Sequence, residues 1–374
     1  MPEVTSRLVT YSDLISHSVD YLGAVVSGDA TRDARRAVQA AYRSLATMHN
    51  WSYYVTRGRL VTNASYSTGT IEYDHTGGAE EMLVTLTDGT FPSWAYLGDM
   101  LINGVVYEIA SIVNSTSLTL SRNSNPGEDI AAGETYVLYR DTYPLPVDFQ
   151  AADDFTIANN SRLLSYVSPN QWLEYGQNSG GVGDPSRYTF RSDPNYYGTM
   201  AISFVPAPSG AESYDYIYKR RPRPMMVQEY KAGTATATFA SATVTGSGTT
   251  WKDNHIGAVM RFSETNDYPT GLTGDNPFEI QRIVASVESE TSLTLDRIMP
   301  QAFTSCKYTI GDPADIEDGA MLTALYREIE KELRISRRMK PSPEEEERYI
   351  MAINQAREAD SRTFSSRATA VGGW

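Results

Sequence analysis

The chain is poor in the residues that make metal and thiol chemistry. It holds one cysteine, Cys306, and four histidines, His17, His49, His75 and His255, in separate segments. A single cysteine makes no disulfide within the chain, and so few Cys and His exclude a Cys-rich zinc site. No H-E-x-x-H, G-x-S-x-G, Walker A or Rossmann fingerprint occurs. The glycines of GQNSGGVGDPSR (176–187) lead into no Lys-Ser/Thr pair and no strand-to-helix junction. Basic charge is also scarce: 32 Lys and Arg stand against 46 Asp and Glu, for a net charge of −14. A protein that grips nucleic acid through its phosphates needs clustered cations, so the charge balance argues against that class. It does not argue against a surface past which DNA slides without sticking. No run approaches the ~18 apolar residues of a membrane span, so no membrane partner is expected. The opening MPEVTSRLVTYSD has no apolar leader core, and a soluble protein made in a cytoplasm is expected.

What the chain does have is bulk, tyrosine and a repeat. Its 374 residues suffice for two or three domains, and 41% hydrophobic content is enough for real cores. Tyrosine is frequent, 25 residues against 10 Phe, which suits half-exposed strands and wet interfaces. VTLTDGTFPSW (84–94) and STSLTLSR (115–122) answer VTGSGTTW (244–251) and ETSLTLDR (290–297). Gly69-Thr70 and Gly233-Thr234 open the copies, Gly98 and Gly257 follow Trp94 and Trp251, and Tyr136 and Tyr308 close them. The second copy alone carries ETNDYPTGLTGDNP (264–277). Two copies are too few for a solenoid or propeller, so two inserted all-β modules are expected, each a small barrel or sandwich, at residues 67–140 and 231–312. Trp94, Leu118 and Leu120 in the first and Trp251, Leu293 and Leu295 in the second are the expected module cores.

The ends read as helix. SDLISHSVDYLG (12–23) has Ser12 as N-cap. GDATRDARRAVQAAYRSLATMHN (28–50) stacks Ala34, Val38, Ala41, Tyr42, Leu45 and Met48 on one stripe, with Arg32, Arg35, Arg36 and Arg43 away from it. Residues 1–66 thus form an N-terminal helical part. Residues 141–230 read as antiparallel β with long polar loops. Residues 313–360 return to helix: Met321, Leu325, Ile329 and Leu333 repeat at i, i+4, and Ser342-Pro343 with Glu345 forms a capping box. The acidic run 344–347 belongs to that first turn, where negative charge is favoured. Residues 361–374 lack periodicity and read as an extended arm, with Phe364 and Trp374 as isolated large apolar anchors.

No catalytic constellation emerges, so no enzyme activity and no cofactor or metal are expected. Asp141, Asp153 and Asp154 are the carboxylates that a glycosidase might draw on. Asp153 and Asp154 are adjacent, and in a strand they point to opposite faces. Cys306, in SCKYTI, reads as a buried inert thiol.

The order of parts resembles the head-to-tail connector (adaptor, or neck) proteins of tailed bacteriophages. It runs AYRSLATMHNWSYY (41–54), then the GT…VTGSGT-x-W…TSLTL unit, then YPLPVDF (143–149), SFVPAPSG and YDYIYKRRP (203–221), and finally LYREIEKELRISRR (325–338). The resemblance covers residues 30–340 as an order of elements and short phrases. It implies an α+β fold: a helical connector scaffold of N- and C-terminal helices plus a central antiparallel β region, with the two β modules inserted. It also implies a structural virion protein of the neck, assembled in the host cytoplasm. Such a protein forms a ring, usually twelve-fold, under the portal protein, and DNA passes through without sequence-specific binding. The arm would clasp the portal through Phe364, Arg367 and Trp374. The modules would face tail, nozzle or fibre proteins. Two other readings stay open: a tail-tube, nozzle or fibre-attachment component sharing the modules, and a surface module that holds glycan.

Overall fold

A computed structural model describes residues 8–23, 28–76, 81–152, 158–159, 162–178, 181–264, 266–317 and 319–368. Five helices occur among them: α1 (Tyr11–Tyr21), α2 (Gly28–Met48), α3 (Pro169–Asn178), α4 (Ala320–Ser336) and α5 (Pro343–Ala368). Two compact units divide the chain, Val55–Arg221 and the pair Met1–Tyr54 with Pro222–Trp374. Each is described on its own.

The fold class expected from the sequence is overturned. Strand makes up 37% and helix 26%, four of the five helices lie towards the termini, and β structure with two half-barrel sheets dominates rather than a helical scaffold. The terminal helices carry strong 3.6-residue periodicity and draw the eye. The many short Thr-, Val- and Tyr-rich strands each carry a weak signal, yet together they outweigh the helices.

The unit of residues 55–221 contains the first half-barrel, a seven-stranded sheet. Taken in chain order, its strands hydrogen-bond in the sequence sixth, first, second, fifth, fourth, third, seventh. The other unit contains the second half-barrel, with the same strand order. Registers match as well. Ile109 pairs with Leu120 and Asn114 with Ser117, with bulges between, and Val284 with Leu295 and Ser289 with Ser292 repeat the pattern. Each bulged strand bends enough to serve both halves of its sheet, which is what curls it round a core. Gly69 and Gly233 open the first strands at φ +81 and +78. A Cβ there would lie 2.1 Å from Thr87 O and 2.3 Å from Ser247 O, so only glycine fits at either position. The copies differ most at one turn. Residues 103–104 join the third and fourth strands of the first module, whereas residues 263–279 do so in the second.

Beside the first module, Val55–Val61 pairs antiparallel with Ser213–Arg220, and Arg187–Ser192 with Met200–Val205. Their core is aromatic, built on Tyr143, Phe149, Tyr188, Phe204 and Tyr214. Helix α3 departs from the expected all-β reading of this region. Ser168 N donates to Gln171 Oε1 at 3.2 Å, and Gln171 N to Ser168 Oγ at 3.3 Å, a capping box that starts a helix within a polar stretch.

Beside the second module, α1, α2, α4 and α5 share a core of Leu14, Val38, Leu45, Leu325, Ile329, Leu333 and Ile353. Helix α1 starts two residues earlier than expected. Thr10 rather than Ser12 is its N-cap, because Thr10 N donates to Asp13 Oδ2 at 2.9 Å while Thr10 Oγ1 accepts from Asp13 N. Helix α5 starts on Ser342, whose N–H reaches Glu345 Oε2 at 2.8 Å. That bond, with contacts from Tyr21 and Arg334, holds the Glu345 carboxyl down to about 2. Residues 361–368 continue α5 and are not an extended arm.

Candidate functional site

Each module turns one face of its third, fourth and seventh strands away from its own core. Met100, Ile102 and Leu138 point inward in the first module, as do Met260, Phe262 and Ile310 in the second. The alternating residues therefore point outward: Asp99, Leu101, Val106 and Tyr139 in one copy, Val259, Arg261, Gln281 and Gly311 in the other. Both faces are partly covered, Val106 staying 45% exposed, and a cavity lies beside each cover.

In the second module the cover is α1. Arg261 Nη1 and Nη2 donate to Asp13 Oδ1 and Oδ2 at 2.9 and 2.6 Å, and Nη2 also reaches Leu8 O at 3.1 Å. The guanidinium lies 4.6 Å from the Phe278 ring centroid and its side chain is 5% exposed. Asp13 thus closes the α1 capping box and neutralises a buried cation at once. The longer loop of this copy supplies Gly271 against the same carboxylate, where a Cβ would sit 2.3 Å from Asp13 Oδ1. A cavity of about 510 Å³ adjoins the pair, lined by His17, Asp20, Leu272, Phe278 and Tyr326 among others.

In the first module the cover is α3 with residues 204–207. The cavity there is about 240 Å³ and takes in Asp99, Tyr139, Asp141, Trp172 and Leu173. Asp141 is committed: Thr142 Oγ1 donates to its Oδ1 at 2.7 Å, and Arg191 Nη2 lies 3.9 Å away. Arg191 is committed too. Its Nε donates to Ser203 Oγ at 2.8 Å, its Nη2 to Thr142 Oγ1, and its guanidinium lies 4.8 Å from the Trp172 ring centroid. Asp99 makes no side-chain hydrogen bond among the described residues. Burial first, and the neighbouring Asp141 second, push its carboxyl up to about 7. The Trp172 indole Nε1 is buried and makes no hydrogen bond either. Burial also raises Asp141 and Tyr139 above their ordinary ranges.

The expected module-core residues Leu118, Leu120, Leu293, Leu295 and Trp251 lie buried in the two half-barrels. Trp94 is only half-buried and is not the counterpart of Trp251. Phe91 is: its N–H donates to Ser115 O as that of Trp251 donates to Glu290 O, and the two carbonyls are equivalent. The same hydrogen bonding pairs Gly98 with Ala258 rather than Gly257. Cys306 is buried in its strand, and burial pushes its thiol up to about 11. His49 Nε2 lies 3.1 Å from Asp360 Oδ2, and His255 Nδ1 accepts from Lys252 N at 3.2 Å. His17 Nε2 lies 3.4 Å from Glu330, and His75 Nδ1 3.0 Å from Tyr73 Oη. No group of three or more His, Cys, Asp or Glu able to hold a metal occurs among the described residues. Asp153, Asp154, Trp374 and the side chains of Phe364 and Arg367 lie outside the described residues.

Sequence reasoning missed Asp13, Asp99, Trp172, Arg191 and Arg261. The available signal was a charge within an alternating apolar strand, as in DMLI and VMRF, which marks an outward face that something else must cover. No known family model matches the chain, and no curated protein matches it significantly.

Proposed function

We propose that the chain is a structural virion protein that forms a ring in the neck of a tailed bacteriophage, between portal and tail. The observation that carries this reading is the pair of half-barrels with one strand order, each spanning the GT…TSLTL phrase that gives the resemblance to phage connector proteins. Three features support it. The order of terminal helices, module and central strands along the sequence follows that of the connectors. Ile335, Met339, Ile350 and Met351 around the α4–α5 turn are large apolar side chains left exposed, which suits a surface shared with neighbouring subunits. The net charge of −14 suits a channel wall that DNA must pass, since charge repulsion acts over ~8–10 Å at physiological salt.

On this reading the protein has no enzymatic role, and its partners are the portal, tail components and copies of itself. The test is native mass spectrometry and negative-stain imaging of the protein alone and mixed with candidate portal. A ring stacked on the portal is expected. Removing residues 361–374 should then abolish portal binding and leave the fold intact. A monomer that ignores the portal sinks the neck assignment and favours a tail or fibre component.

A further inference from the structure

The cavity beneath α3 is lined by the Trp172 indole and the Asp99 carboxyl, which make no hydrogen bond among the described residues, beside Tyr139, Asp141 and apolar side chains. The Trp172 indole N–H is a buried donor without an acceptor. The Asp99 carboxyl is an acceptor without a donor among the described residues. The other charged groups are spoken for, Asp141 by Thr142 and Arg191, and Arg191 by Ser203 and Thr142. Val106, Leu173 and Pro206 complete the lining. Leaving the buried indole N–H unpaired costs roughly 1–3 kcal/mol, so an occupant that pairs it is favoured, and the half-exposed Asp99 carboxyl stands in the same lining. One water needs only about 10–15 Å³, and the exposed Val106 and Leu173 leave the site open to a larger occupant. The cavity of about 240 Å³ has room for more.

We propose that this cavity is a saccharide site, taking one neutral hexose unit whose adjacent hydroxyls bridge the Trp172 indole N–H and the Asp99 carboxyl. A hydroxyl both donates and accepts, which matches one unused donor beside one unused acceptor. An ammonium or guanidinium ligand would leave the indole unpaired, because it has no acceptor to offer. The shape agrees: a pyranose has apolar C–H faces for Leu173 and Pro206 and a polar rim for the two unused groups. The inference is independent of the ring reading.

The test is saturation-transfer NMR and calorimetry on the full chain with the methyl pyranosides of glucose, galactose, mannose, N-acetylglucosamine and rhamnose. At least one should bind with Kd of about 1 mM or tighter. Trp172→Phe keeps the ring and removes the donor, and Asp99→Leu keeps the bulk and removes the acceptor. Each should weaken binding about tenfold, which is the loss of one hydrogen bond. Thermal melts establish that the variants fold, and Trp172→Phe stands alone if Asp99→Leu does not. The proposal is overturned if none of the glycosides binds, if Trp172→Phe binds as tightly as the parent, or if butylammonium binds at Asp99 and the glycosides do not.

Discussion

Tyr66 Oη accepts the backbone N–H of Thr90 at 3.0 Å, and in the second module Tyr230 Oη accepts that of Thr250 at 2.7 Å. Each tyrosine lies just before its module and exchanges backbone bonds with the seventh strand, Tyr66 with Leu138 and Tyr230 with Ile310. Its ring centroid lies 6.4 Å from that of the closing tyrosine, Tyr136 or Tyr308. The ring fills space while the hydroxyl ties down a loop. Tyr66→Phe should therefore cost about 1 kcal/mol in denaturant unfolding, the worth of one hydrogen bond, and Tyr230→Phe, whose hydroxyl also lies 3.1 Å from Thr250 Oγ1, at least as much. Equal costs at the two sites would show that the clamp works the same way in both copies, and a neutral result at both would show that the loop holds itself.

Glycine at the start of each module should be indispensable for a steric reason. Gly233→Ala forces a left-handed φ on alanine and drives its Cβ into Ser247 O, 2.3 Å away. Gly104→Ala imposes a similar φ, +81, with nothing within 4 Å. Strain alone costs roughly 1–2 kcal/mol. Gly104→Ala should stay within that range and Gly233→Ala should exceed it, as compared by thermal melts. Similar losses would show that the backbone yields around Ser247.

Asp99 makes the stability of the 55–221 unit depend on pH in an unusual direction. Its carboxyl titrates near about 7 in the folded chain, whereas an unfolded aspartate titrates near about 3.9. Between those values the folded state holds more protons, so stability falls as pH rises from about 4 to about 7. Asp99→Asn should flatten this slope and be the more stable protein at pH 8, an outcome read from urea unfolding at several pH values. A parent whose stability is flat or rises across that window would show that Asp99 ionises freely.

The Asp13–Arg261 pair should behave as a coupled unit. Asp13→Ala leaves a buried guanidinium without its carboxylate, which costs about 3–5 kcal/mol. Adding Arg261→Leu, the residue type that Leu101 supplies at the equivalent point of the first module, should recover a large part of that loss. A double-mutant cycle measures the coupling. Additive losses would mean that the pair is not energetically linked.

Legibility tracked how local each signal was. The Met321–Leu333 stripe and the Ser342–Glu345 box were readable because helix spacing and capping act within one turn. The same Ser-Pro-x-Gln/Glu grammar at Ser168, Pro169 and Gln171 went unread, because Thr, Tyr and Gly on both sides suggested strand and loop. The phrase TSLTL exposed the repeat, since Leu118 and Leu120 alternate into a core as Leu293 and Leu295 do. Pairing Trp94 with Trp251 failed because identity of residue type was weighed above distance along the chain. Phe91 does the same packing work with a smaller ring. The Asp99 and Arg261 sites were legible only as a charge within DMLI and VMRF, since their neighbours Asp141 and Asp13 come from segments that only the tertiary structure brings near.

The shared outward face carries a consequence for assembly of the chain itself. Two half-barrels of one topology, made on one polypeptide, risk being exchanged while the chain folds. The equivalent positions Leu101 and Arg261 make exchange costly. A second module seated beneath α3 would bring a buried guanidinium to a place where Asp141 is already engaged. A first module seated on α1 would leave Asp13 facing a leucine. The divergence of one residue pair thus leaves the observed seating of each copy the electrostatically matched one.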